Sequence, residues 1–293
     1  MGSRLSLVPI DLLHGGERVV GSYVVETDDG LALVDCGPAT SLPALDAGLE
    51  ARGLSLDEIR HLLLTHIHLD HAGGTGALVR AHPALQIHVS EIGAPHLVDP
   101  SRLEASARRL YGDTFDTLWG ELVPVPEENI HTVGDRVLGL DCFPSQGHAW
   151  HHVSYMHDDG TLFTGDSLGV RIAPARFVLP PTPPPDIDLE AWEQTLVETE
   201  RRQPARLALT HFGVFDDVQV HLARIRATLQ SWAERVAHGM DEPTFTAAAR
   251  ADCAASDPDE VEIYERSAPY SHCYRGLERY WRKRSEFASQ PST

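Results

Sequence analysis

Four proton-exchanging side chains crowd the stretch Thr65–Gly74, THIHLDHAGG: His66, His68, Asp70 and His71. They follow the apolar run LLLT, the pattern of a buried strand that ends in a turn. In extended chain, positions two apart point the same way, so His66 and His68 converge, while Asp70 and His71 come from the turn into the next helix. Imidazole and carboxylate suit zinc, iron or manganese; the competing reading is a hydrogen-bonded polar cluster. Three further residues favour the metal. His148 in SQGHAWHH, Asp166 in FTGDS and His211 in LTHFG each sit at an expected strand end. Five histidines and two aspartates suffice for two neighbouring metal positions.

The elements that must position them are short strands alternating with helices. RVVGSYVVET and LALVD, separated by DDG, read as a hairpin, and HLLLT and LQIHVS as buried strands. SLPALDAGLEARGL, GGTGALVRAHP and residues 101–120 read as helices. Strands resume in RVLGLDCFPS, HHVSYMHD and TLFTGD, followed by the helix DLEAWEQTLVETERR and the strand RLALT. Two such halves predict sheets packed together with helices outside. The Pro-rich stretch VLPPTPPPDID reads as a stiff, extended linker. From Val218 onward apolar residues recur at helical spacing, so residues 1–217 are expected to form the catalytic domain and 218–293 a helical extension, a lid or dimer element.

Bulk properties narrow the partners. The chain has 293 residues, 42% of them hydrophobic, enough for a substantial core. A formal charge of −19, from 24 Lys+Arg against 43 Asp+Glu, opposes nucleic-acid binding. No apolar run reaches the roughly 20 residues of a membrane span, and the N-terminus lacks a secretory pattern, so a cytoplasmic protein is expected. Cys36, Cys142, Cys253 and Cys273 are widely spaced, which predicts buried free thiols rather than a thiolate site or disulfides. His14, His61, His82, His88, His96, His131, His157, His221, His238 and His272 match no ligand position and are expected on the surface or hydrogen-bonded.

In order along the chain, LVDCGPA with Asp35, His66-x-His68-x-Asp70-His71, His148, Asp166 and His211 resemble the metallo-β-lactamase-fold hydrolase superfamily over about residues 5–215. The resemblance implies a four-layer αββα sandwich and a dinuclear site. His66, His68 and His148 would hold one divalent ion, Asp70, His71 and His211 the other, and Asp166 would bridge them. Zinc is the expected metal, with iron or manganese as alternatives. Asp35 and His152 would orient ligands from behind by hydrogen bonds. Such a centre predicts hydrolysis by a metal-bound hydroxide, with Asp70 moving the proton.

GHAWHHVSY and LFTGDSLGVR most resemble the glyoxalase-II-like and lactonase-like branches, which implies a small-molecule thioester or lactone substrate. Here SLG stands where the quorum-sensing lactonases carry a Tyr, and the CGHEYT-like segment of the glutathione thioesterases is absent. A mononuclear iron persulfide dioxygenase using His66, His148 and Asp166 is the alternative enzyme, and a non-catalytic sensor or scaffold the alternative without catalysis. A nuclease conflicts with the acidic charge. Arg171 and Arg176 are candidate contacts to a substrate anion. Tyr270, Tyr274, Tyr280 and Trp281 are expected in helix packing rather than in a pocket wall, and a homodimer is the default assembly.

Overall fold

A computed structural model describes residues 7–288. One six-stranded sheet contains β1 (Ile10–Asp11), β2 (Gly21–Thr27), β3 (Gly30–Val34), β4 (Ile59–Leu63), β5 (Gln86–Val89) and β6 (Ile130–Thr132) in that order. The second contains β7 (Arg136–Val137), β8 (Leu140–Pro144), β9 (Val153–Met156), β10 (Thr161–Phe163), β11 (Arg206–Leu209) and β12 (Gly213–Phe215), also in chain order across the sheet. Strands β3 to β6 run parallel, as do β10 and β11; the other pairs are antiparallel.

Alternation along the strands builds the layers. Tyr23, Val25, Ala32, Val34 and Leu63 face Leu140, Val153, Tyr155, Phe163 and Ala208 in the core between the sheets. Their neighbours Val24, Leu33 and Leu62, and on the other sheet Phe143, Leu162 and Leu207, join the larger core under the helices. Both faces of each sheet are therefore apolar, and each needs a covering layer. Two tyrosines stitch the sheets: Tyr23 Oη donates to the Leu209 carbonyl at 2.6 Å, and Tyr155 Oη to that of Leu64 at 2.7 Å. The αββα expectation is met.

The expected helix over 101–120 breaks at Gly112, whose φ of +54° ends Ser101–Tyr111; a second helix, Phe115–Trp119, follows a short 3-10 turn. C-terminal helices Val218–Ala237, Glu242–Ser256, Val261–Ser267 and Tyr270–Ala288 share one continuous core with the catalytic layers. Leu222, Ile225, Leu229 and Trp232 lie in it beside Leu162, Trp192 and Leu207. Among the described residues no helix is long and apolar enough to cross a membrane.

Candidate metal centre and cleft

All seven expected ligands follow strands at their C-terminal ends, on one edge of the sandwich. β4 leads into His66, His68 and the short helix Leu69–Ala72, which carries Asp70 and His71. His148, Asp166 and His211 follow β8, β10 and β11. Their donor atoms gather into three groups, each within 4.8 Å: His66, His68 and His148; His66, His71 and Asp166; Asp70, His71 and His211.

Hydrogen bonds behind the imidazoles decide which nitrogen faces inward. His71 Nδ1–H donates to Asp35 Oδ2 at 2.7 Å, His148 Nδ1–H to the Pro181 carbonyl at 2.7 Å and His211 Nδ1–H to the Val19 carbonyl. Each leaves Nε2 directed at the cluster. His66 Nδ1–H reaches Thr65 Oγ1, whose own proton goes to Asp35. His152 Nε2 accepts the backbone N–H of Asp166 at 3.1 Å, while its Nδ1 side meets Ser145 Oγ at 2.8 Å. Asp35 and His152 thus support the ligands from outside the cluster, where the resemblance implies they should be.

The inward atoms meet one another at separations that leave room for cations. His71 Nε2 is 3.2 Å from Asp166 Oδ1, His148 Nε2 3.4 Å from Asp166 Oδ2, and His211 Nε2 3.3 Å from Asp70 Oδ2. Among the described residues, His66 Nε2, His71 Nε2 and Asp166 Oδ1 are buried without a hydrogen-bond partner. Leaving such atoms unsatisfied costs about 1–3 kcal/mol each, and a divalent ion removes that cost for all three. Burial, then the neighbouring imidazoles, holds His66 well below its ordinary pKa and His68 at about 3, so both are neutral donors. Burial also opposes charge on His71 and His211, but Asp166 and the other carboxylates outweigh it and raise both. Imidazole nitrogens and carboxylate oxygens gathered in this way fit divalent metal ions.

A cleft of about 560 Å³ opens above His68, Asp70, His148 and Asp166, a size suited to a small ligand. The helix Ser101–Tyr111 and Trp119 form one wall. The Pro-rich segment, with Pro181 and Pro183–Pro185, forms another, and Ser267–Cys273 with Arg279 closes the third. The segment expected to be a linker is therefore part of the site.

Neither Arg171 nor Arg176 lines this cleft. Arg171 is buried, pairs with Asp217 at 2.6 Å and lies over the Phe215 ring, so it ties the loop after β10 to the start of the C-terminal helices. Arg176 is exposed, and its backbone N–H is held by Asp257. Both arginine expectations are corrected: proximity in sequence to Asp166 does not carry a side chain round the turn into the cleft. The cleft arginines are instead Arg102, Arg109 and Arg279.

His96, His151 and His272 also line the cleft. His96 and His272 were expected as unassigned histidines, and nothing in their local pattern distinguishes them. Of the four aromatics, Tyr270 is fully buried and Trp281 donates to the Ala233 carbonyl, as helix packing requires. All four cysteines are free and buried, and burial pushes the Cys36 thiol up to about 12.

The model of the metallo-beta-lactamase superfamily matches residues 15–211. The chain belongs to that superfamily. A metallo-beta-lactamase fold-containing protein of Sulfurisphaera tokodaii is 29% identical over 193 residues, 62% of this chain and 72% of that one. A hydroxyacylglutathione hydrolase of Vibrio campbellii is 36% identical over 145 residues, 50% of this chain but only 45% of that protein. The chain thus spans less than half the length of the hydrolase. The crystal structure of an archaeal metallo-beta-lactamase superfamily protein from Sulfolobus tokodaii superposes with a TM-score of 0.65 at 21% identity, covering 92% of this chain and 96% of that one. By its family the chain is a metal-dependent hydrolase, with a His/Asp cluster that fits the metal site.

Proposed function

We propose that the protein is a dinuclear hydrolase, loaded with zinc, that cleaves an ester-type bond in a small molecule, a thioester or a lactone, in the cytoplasm. One observation carries the reading: three overlapping donor groups, one of them including Asp166, adjoin one another, and among the described residues His66 Nε2, His71 Nε2 and Asp166 Oδ1 are buried there with no hydrogen-bond partner. The Asp70, His71 and His211 set favours two ions over a single iron held by His66, His148 and Asp166. The likeness to a hydroxyacylglutathione hydrolase supports the thioester, and four buried free thiols suit a reducing compartment.

Two divalent ions in these donor sets would bring a water's pKa toward neutrality and polarise the scissile carbonyl. The chain supplies the rest. Asp35, Pro181 and Val19 hold the imidazoles in one tautomer, so no reorganisation is needed when the substrate arrives. Asp70 is the most exposed of the ligand carboxylates, at 22% against 5% for Asp166, and it faces the cleft. Its carboxylate takes the proton of the attacking water and returns it to the leaving group. Leu69, Leu103, Leu110 and Trp119 supply an apolar wall beside Asp70.

Elemental analysis of protein purified without chelator tests the reading, together with a panel of thioesters, lactones, β-lactams and phosphodiesters. About two zinc ions per chain and ester turnover are expected. Asp70→Ala lowers kcat by about 10²–10⁴-fold. One iron per chain with oxygen consumption establishes the dioxygenase instead, and undiminished turnover in Asp70→Ala removes the role given to that carboxylate.

A further inference from the structure

The cationic side chains of this acidic protein are mostly committed. Arginines 18, 60, 80, 108, 136, 171, 201, 202, 224, 226, 235, 250, 275, 282 and 284 each have a carboxylate within ion-pair distance. Among the described residues Arg52, Arg102, Arg109, Arg176, Arg206, Arg266 and Arg279 have no such partner, and of these Arg102, Arg109 and Arg279 line the cleft. Arg102 and Arg109 are seven residues apart on Ser101–Tyr111, two turns along one face and about 10 Å from each other along the axis. Leu103 and Leu110 share that face, whereas Arg108 and Glu104 pair with each other at 2.8 Å and do not leave Glu104 free to neutralise it. Across the cleft, Arg279 Nε donates only a long 3.4 Å bond to the Pro185 carbonyl.

Aromatic side chains complete the helix wall. Trp119 is 5% exposed and lines the cleft, and its indole Nε1–H is buried with no hydrogen-bond partner among the described residues. Tyr111, edge-on to Trp119 at 4.9 Å, likewise lines it. The carboxylates of the cleft are Asp70 and Asp166 in the metal cluster and Asp186. Asp186 lies on the Pro-rich wall next to Pro185, the residue that Arg279 contacts, so the helix wall is left with Arg102 and Arg109. A molecule with a net charge of −19 repels anions at long range; three guanidinium groups without a close ion pair, with only the longer-range charges of Asp99 near Arg102 and Asp186 near Arg279, oppose that field at one place.

We propose that Arg102, Arg109 and Arg279 form an anion subsite on the outer walls of the cleft, and that the substrate is an amphipathic ester carrying a carboxylate or phosphate remote from the cleaved bond. The apolar middle of such a substrate lies along Leu103, Leu110 and Trp119. Its cleaved end reaches Asp70, and its anion meets the guanidinium groups, which suit carboxylate and phosphate equally by their planar donor fork. The inference rests on the ester-hydrolase reading above.

The test compares the zinc-loaded enzyme on hexanoyl thioesters of three thiols: N-acetylcysteamine, which is neutral; glutathione, which carries carboxylates; and coenzyme A, which carries phosphates. Calorimetry with the matching S-hexyl thioethers reads binding without turnover. Exposed ion pairs contribute up to about fivefold each. One anionic thioester is therefore expected to be preferred over the neutral one by about tenfold, in KM rather than kcat, and its identity separates carboxylate from phosphate. Added salt shrinks the preference, and the double substitution Arg102→Gln/Arg109→Gln abolishes it while leaving the neutral thioester unchanged. Equal KM and equal binding for neutral and anionic compounds overturn the proposal, as does a preference insensitive to both salt and substitution. If no thioester is cleaved but an anionic thioether binds with the same salt and arginine dependence, the subsite stands and the thioester reading falls.

Discussion

Asp35 accepts hydrogen bonds from the Thr65 backbone N–H, Thr65 Oγ1, His71 Nδ1 and Thr210 Oγ1, all within 3.1 Å, and is itself fully buried. Three strand ends meet on this one carboxylate: its own after β3, that of Thr65–His66 after β4, and that of Thr210–His211 after β11. Its backbone takes a φ of +55°, a left-handed conformation that aspartate tolerates better than most residues and that functional sites retain at a cost. Asp35→Asn keeps the volume but turns one acceptor into a donor facing donors. The expected outcome is a 10–100-fold loss of metal affinity, read by chelator competition; unchanged affinity refutes the orienting role. The histidine and aspartate types were legible at this scale because their spacing repeats the geometry of a strand end. Arg171 and Arg176 were misassigned because nothing local to the sequence says on which side of a turn a long side chain leaves.

The Pro-rich segment is held against the C-terminal helix Tyr270–Ala288. A Cβ on Gly276 would lie 1.9 Å from the Thr182 carbonyl oxygen, so only glycine allows helix and segment to touch. Thr182 Oγ1 donates to the Cys273 carbonyl at 2.9 Å beside that contact, and the Pro181 carbonyl one residue earlier orients His148. Gly276→Ala is expected to destabilise the fold by about 1–3 kcal/mol and to lower turnover through His148. Thermal melting and steady-state rates check both effects; a full-rate variant with a lowered melting temperature separates the helix from the site. Gly147 plays a comparable part just before His148, with φ at +127° and its missing Cβ 2.3 Å from Trp192 Cβ. Strand and helix boundaries were readable from periodicity. The role of the segment was not, because a run of prolines specifies an extended backbone but not the surface that it lies on.

Across the whole molecule one core unites the catalytic layers and the C-terminal helices, and His221 is a titratable group within it. His221 Nε2–H donates to the Leu168 carbonyl at 2.7 Å, while burial, chiefly, lowers its pKa to about 4. Between the unfolded value of about 6.5 and that folded value, the unfolded chain binds more protons, so stability rises with pH across this window and is lost as pH falls through it. Burial, then His61 and His131, likewise lowers His88 to about 4, adding in the same direction. His221→Gln keeps a donor for Leu168 without the titration. Its stability is expected to fall by about 2 kcal/mol less than the wild type's between pH 7 and 4.5, measured by urea denaturation; parallel losses refute the assignment.

The sequence by itself determined the layered architecture and singled out the seven histidines and aspartates whose donor atoms the fold gathers, because layers are written in apolar period and candidate ligand chemistry in residue types. The tertiary structure decided how the cleft is walled. Its arginines, prolines and aromatics come from stretches more than sixty residues apart, and each is unremarkable in its own stretch. Only packing of the C-terminal helices against the sandwich brings Arg279 opposite Arg102 and Arg109, since long-range side-chain meetings depend on how the layers dock rather than on any local pattern.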